Sequence, residues 1–172
     1  MGTQEGIDLL IDAIDLIVHQ HGRTDIQFVL VGGGPSLAAL KQLAEDKQVS
    51  PFLTFTGRAP DAVLFEVLST MDLGVNPDRV NAMNDKSTMN KIMEYMAMGK
   101  AMVQFDVKEG RFSAQDASLY AKANDPVDLA EQIDRKQWGF MGDAAGYAYL
   151  SLQQAIAQAG LSETQASNPL PW

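Results

Sequence analysis

The sequence predicts an α/β fold, a parallel sheet flanked by helices, on three observations. Short apolar runs alternate with segments of helical period, most loops between them are short, and glycine or proline marks many junctions. The 172 residues, 46% of them hydrophobic, suit one domain with a substantial core.

The first element is a helix. Ile7, Leu10, Ile11, Ile14, Ile17 and Val18 form one apolar stripe, and Asp8, Asp12 and Asp15 lie off it. His19 and His21 fall in its last turn, before Gly22, where imidazole meets free carbonyls and glycine takes a left-handed turn. With no third ligand nearby in sequence, they read as helix-end residues. Residues 26–31 are a nearly continuous apolar run, the mark of a strand covered on both faces. Gly32-Gly33-Gly34-Pro35 turns into a helix carrying Leu37, Leu40, Leu43 and Ala44, with Pro35 in its first turn. Residues 52–56 form the second strand, and Gly57-Arg58-Ala59-Pro60 leads to a helix with Val63, Leu64, Val67 and Leu68.

Residues 72–76 make a third strand, followed by a long polar loop from Pro77 to about Ser87. A helix from about Thr88 to Met98 is closed by Gly99, and a strand follows at 101–105. Asp106, Glu109 and Arg111 read as loop charges, and residues 118–121 as a short edge strand. Asp125 caps a further helix, with Pro126 at its first position and Asp128 in the positive first turn. A terminal helix is expected over 144–159. Residues 161–172, with Pro169 and Pro171, read as a loose tail after a domain spanning 1–160.

Charge and composition narrow the function. Thirteen Lys and Arg against 22 Asp and Glu give a net charge of -9, which disfavours nucleic acid as a partner. The absence of cysteine excludes disulfides, thiolate nucleophiles and Cys-based metal sites, and no His/Asp/Glu cluster suggests a metal. No cofactor is expected. No apolar run reaches the length of a membrane span, and the amino terminus has no signal-like stretch, so a cytoplasmic location is expected.

Ligands of parallel sheets bind beyond the carboxyl ends of the strands, where loops 32–36, 57–60 and 76–90 fall. The glycines at 32–34 either admit a phosphate or simply make a tight turn; they lack the spacing of a dinucleotide fingerprint and the Lys-Ser/Thr ending of a P-loop. The third loop runs into a helix whose first N–H groups could receive phosphate oxygens, with Ser87 or Thr88 as cap. Helical spacing groups Ser87, Lys91, Glu94 and Met98 in one sector, with Met89, Met93, Met96 and Ala97 on a more apolar side. Lys91 could neutralise a diphosphate and Glu94 accept from sugar hydroxyls; equally, the two could form an ordinary intrahelical pair on a solvated face.

The block Asn84-Asp85-Lys86-Ser87-Thr88-Met89-Asn90-Lys91-Ile92-Met93-Glu94-Tyr95-Met96-Ala97-Met98-Gly99-Lys100 resembles the loop-helix motif of nucleotide-sugar-dependent retaining glycosyltransferases, glycosyltransferase family 4 or "glycosyl transferases group 1". Supporting matches are Phe28 to Pro35, Phe55 to Arg58, Asp72 to Pro77 and Asn124-Asp125-Pro126, in family order over residues 4 to about 135. The resemblance implies a Rossmann-like domain, one half of a GT-B two-domain architecture. It implies binding of a nucleoside diphosphate sugar and transfer of the sugar to a hydroxyl acceptor with retention, in polysaccharide assembly.

Carried over, Glu94 matches the second Glu of a Glu-x7-Glu motif and would contact the donor ribose, while Lys86 stands where the first Glu would be. Asn84 or Asp85 would then assume part of that role. Ser87, Thr88, Met89 and Asn90 would surround the donor sugar and diphosphate, Gly33 the phosphates, and Arg58 the base. Glu5-Gly6 stands where relatives carry Lys-Gly, which leaves Lys91 as the cation for the diphosphate. No residue is assigned as catalytic. The acceptor site would come from an N-terminal domain that this chain does not supply, and membrane association only through that part. Two other readings are a non-catalytic nucleotide-binding module and half of a GT-B nucleotide-sugar epimerase.

Overall fold

The computed structural model describes residues 1–135. The terminal helix expected over 144–159, the domain end at 160 and the tail over 161–172 lie outside the described residues.

A short 3-10 turn, Thr3–Glu5, precedes α1 (Ile7–Asp15), which continues in π geometry through Leu16–Gln20. Gly22 then takes the expected left-handed conformation, φ 69°. There follow β1 (Phe28–Val31), α2 (Leu37–Asp46), β2 (Leu53–Gly57), α3 (Asp61–Thr70), β3 (Leu73–Asn76), α4 (Asn90–Ala97), β4 (Ala101–Phe105), α5 (Lys108–Ala114), β5 (Ser118–Ala121) and α6 (Pro126–Asp134). Pro35 lies before α2, whose N-cap is Ser36. All strand pairings are parallel, and each step between paired strands passes through a helix.

The expected parallel α/β fold is borne out, and three details within it are corrected. First, the described strands form two sheets, β1-β2 and β3-β4-β5. A cavity separates β1 from β3 and is lined by consecutive residues of both, Ile26 to Gly32 and Met71 to Val75. Side chains alternate along a strand, so an unbroken run of lining residues means that strand edges border the gap. Second, β1 is covered on one face only. Phe28 and Leu30 are buried, whereas Val29 is 46% exposed beside the gap. Third, the charges Glu109 and Arg111 lie in a helix, α5, not in a loop.

One core holds both sheets. Ile11, Ile14 and Ile17 of α1 are fully buried in a cluster that takes in Phe28 and Leu30 of β1, Leu53 of β2, Val103 and Phe105 of β4, and Leu129 and Ile133 of α6. A smaller cluster on the other face of the second sheet joins Ile92 of α4, Met102, Ala114 and Ala117. β4 is buried from end to end and feeds both, as a central parallel strand should.

Candidate functional site

The cavity between β1 and β3 has a volume of about 910 Å³ and reaches the carboxyl ends of both strands, where Gly32, Pro77, Glu5, Lys91, Glu94 and Tyr95 line it. α4 supplies three of these at i, i+3 and i+4, which puts them on one face. The apolar side of α4 differs from expectation. Met89, Ile92, Tyr95 and Met96 pack inward, while Met93 is 40% exposed. Tyr95 packs against Gly74 of β3, where a side chain would collide with its ring, and its hydroxyl donates to the Val75 carbonyl at 3.3 Å. Burial, with the negative charges of Glu94 and Asp78 nearby, pushes the Tyr95 hydroxyl pKa up.

Behind Lys91 stands a residue that the sequence did not mark. Asp78 is 2% exposed, and its carboxylate oxygens lie 2.9 and 2.8 Å from Lys91 Nζ. Burial pushes the Asp78 carboxyl pKa up and outweighs the pull of Lys91, and Glu5 adds to the rise. The charge of Lys91 is thus already paired with a buried carboxylate.

The other expected site residues fall in two groups. Gly33 and Arg58 are brought together: a Cβ at Gly33 would stand 3.9 Å from the Arg58 backbone nitrogen. The Gly33 carbonyl accepts from the amino group of Met1, while Arg58 is exposed. Asn84, Asp85, Ser87 and Thr88 are occupied with structural contacts. Asn84 is buried and its amide donates to the carbonyls of Gln4 and Arg79, at 3.1 and 2.8 Å. Asp85 accepts from the Lys108 backbone N–H at 3.1 Å. Ser87 donates to the Met83 carbonyl and Thr88 to Glu109, at 2.8 and 2.9 Å.

Neither Ser87 nor Thr88 therefore caps α4. The helix starts two residues later than expected, at exposed Asn90, and its N-cap is Met89 without a side-chain hydrogen bond. Met89 packs against the smaller core. None of Gly33, Arg58 and residues 84–90 lines the cavity. Asp106 and Arg111 pair with each other at 2.6 Å, and Arg111 covers the Tyr120 ring 3.9 Å from its centroid.

The loop carrying Asp78 is held from the amino terminus. The Arg79 N–H donates to the Gln4 carbonyl at 3.0 Å, and its guanidinium binds the Thr3 carbonyl and Asp8. Gly6, at φ 57°, lies so close to the Pro77 carbonyl that a Cβ would overlap it. Met1 meanwhile bonds Gly33 and accepts from the Ser36 N–H at 3.1 Å. Residues 1–6 thus strap the carboxyl ends of β1 and β3 across the cavity mouth. Among the described residues, no group of three or more His, Asp or Glu is placed to hold a metal ion, and no helix is long and apolar enough to cross a membrane.

Residues 1–136 match the family model described as glycosyl transferases group 1. The chain belongs to that family. Its glycosyltransferase fold is shared with solved structures at low identity. A glycosyltransferase from Rickettsia africae aligns with a TM-score of 0.71 and 15% identity, over 91% of this chain and 44% of that one. Anabaena HepE, solved in complex with UDP, gives 0.65 and 17% over 92% and 45%. This member of the glycosyl transferases group 1 thus spans less than half the length of these relatives. A short likeness of another kind is to 3-oxoacyl-[acyl-carrier-protein] synthase 1 of Haemophilus influenzae, 64% identical over 42 residues, 24% of this chain and 10% of that protein.

Proposed function

We propose that this chain is the donor-binding half of a retaining glycosyltransferase, taking a nucleoside diphosphate sugar and working with an N-terminal acceptor-binding domain. The observation that carries the reading is the carboxyl-end portion of the cavity that runs along β1 and β3, onto which α4 presents Lys91 and Glu94 in a chain of this family. Ligands of open α/β sheets bind at such ends. The bound UDP of the structurally similar HepE supports a nucleoside diphosphate as the ligand.

In this reading Glu94 accepts from the ribose hydroxyls and Lys91 meets the diphosphate, whose charge grows as the sugar leaves. The isolated chain binds donor without transferring sugar. A domain over 1–160 and a cytoplasmic location go with the proposal, the latter supported by the absence of cysteine.

Calorimetry with uridine, UMP and UDP tests it. Lys91→Ala should weaken UDP about tenfold or more and leave uridine unchanged, because a charge-assisted contact is lost. Glu94→Ala should weaken all three. Affinities unaltered by both substitutions would overturn the site. A binding module without transferase activity is the second reading, favoured by the Lys91–Asp78 pair and by Glu5 at the cavity wall. Transfer of sugar by the chain once joined to an acceptor domain would exclude it.

A further inference from the structure

We propose that Asp78 is the positioning residue of this pocket: seated behind Lys91, it fixes the ammonium at the cavity wall where the donor diphosphate meets it. The proposal rests on the donor-site reading and adds a residue to it. Lys91 lines the cavity, whereas Asp78 does not. The carboxylate therefore acts through the lysine and touches no ligand.

Three observations support a positioning role over a merely stabilising one. The pair is asymmetric: the Asp78 side chain is 2% exposed and that of Lys91 30% exposed, so one end is fixed in the fold and the other faces the opening. Asp78 is also set in a tied loop: it is buried, its N–H donates to the Asn76 side chain at 3.4 Å, the Arg79 N–H donates to the Gln4 carbonyl at 3.0 Å, and Gly6 leaves no room for a side chain against the Pro77 carbonyl. An ammonium has three N–H donors, and two carboxylate oxygens engage at most two, leaving one for a ligand oxygen. A buried ion pair is a weak source of stability. The charged or titratable groups around Asp78 are Lys91, Glu5 and Tyr95, with Glu94 the residue before Tyr95 on α4.

The test uses the full 172-residue chain and two readouts. In the first, without ligand, the acetylation rate of Lys91 by acetic anhydride is compared with that of exposed Lys86. Lys91 should react about tenfold more slowly than Lys86, and Asp78→Asn should abolish the difference, because the neutral amide no longer holds the ammonium. Equal rates for the two lysines in the unsubstituted chain would overturn the proposal, whether or not the variant folds. In the second, UDP and uridine are titrated into both proteins. Asp78→Asn should weaken UDP about tenfold and leave uridine unchanged. A freed Lys91 with undiminished UDP affinity would also overturn it. Should the unsubstituted chain bind neither compound, the donor-site reading fails, and with it the diphosphate role given to Asp78. The acetylation rates then report separately whether the carboxylate holds the lysine.

Discussion

At the scale of single residues, Asp78 ties stability to pH with a sign opposite to that of an ordinary salt-bridged carboxylate. Its folded-state pKa is raised, chiefly by burial, so the folded protein holds the proton more tightly than the unfolded chain does. The stability that follows is fully present below the ordinary carboxylate value and is lost as pH rises through the higher folded one. Asparagine keeps the shape without the charge. Asp78→Asn should therefore gain in melting temperature relative to the unsubstituted chain between pH 4 and pH 7, with the gain larger at pH 7. Parallel thermal melts at the two pH values measure this, and a loss that deepens toward pH 7 would show that the ion pair stabilises the fold. Asp106 has the opposite sign: a hydrogen bond from Arg111 holds its carboxyl below the usual range, so its contribution is present at neutral pH and lost in acid. Because both side chains are about half exposed, at 45% and 52%, that contribution is small.

At the scale of elements, the last three helices show what local sequence can and cannot specify. Asp125 accepts from the backbone N–H groups of Val127 and Asp128, at 3.0 and 3.3 Å, and Pro126 opens α6. Asp125→Ala should cost about 1 kcal/mol in chemical denaturation, the usual value of such a cap. That helix was legible because every part of its signal lies within five residues. The start of α4 was misread because Ser87 and Thr88 spend their hydroxyls on the Met83 carbonyl and on Glu109, the latter 21 residues away. α5 left no apolar stripe to read. Phe112 is 75% exposed, and the helix packs through Gly110, where a Cβ would overlap the Gln104 amide.

The site divides in the same way. The Lys91 and Glu94 face could be read from spacing, whereas Asp78 sits in a polar loop that reads as solvated. Its burial depends on a strap some 70 residues earlier, fixed at Gly6. Gly6→Ala must place a methyl group against the Pro77 carbonyl at φ 57°, which should cost about 1–3 kcal/mol and expose the 77–79 loop to hydrogen exchange. Unchanged stability and exchange in that variant would mean that the strap does not hold the loop.

At the scale of the whole molecule, two sheets share one hydrophobic interior, and α1 is the element that makes them one. Ile14 is fully buried in the cluster that reaches from Phe28 and Leu53 in the first sheet to Val103 and Phe105 in the second. Between β1 and β3 there is a cavity in place of a ladder, so the coupling between the halves passes through side chains rather than strand hydrogen bonds. Ile14→Ala should then cost about 2–5 kcal/mol, within the range for truncating a fully buried isoleucine, and should weaken both sheets together. Amide exchange read at Leu30 in β1 and Val103 in β4 decides the matter. Protection at the two strands should fall by similar factors in the variant, because each depends on the same buried stripe of α1. If protection at Val103 persisted while that at Leu30 collapsed, the β1-β2 sheet would be a separately stable layer. The donor cavity would then be a seam between two units rather than a pocket within one.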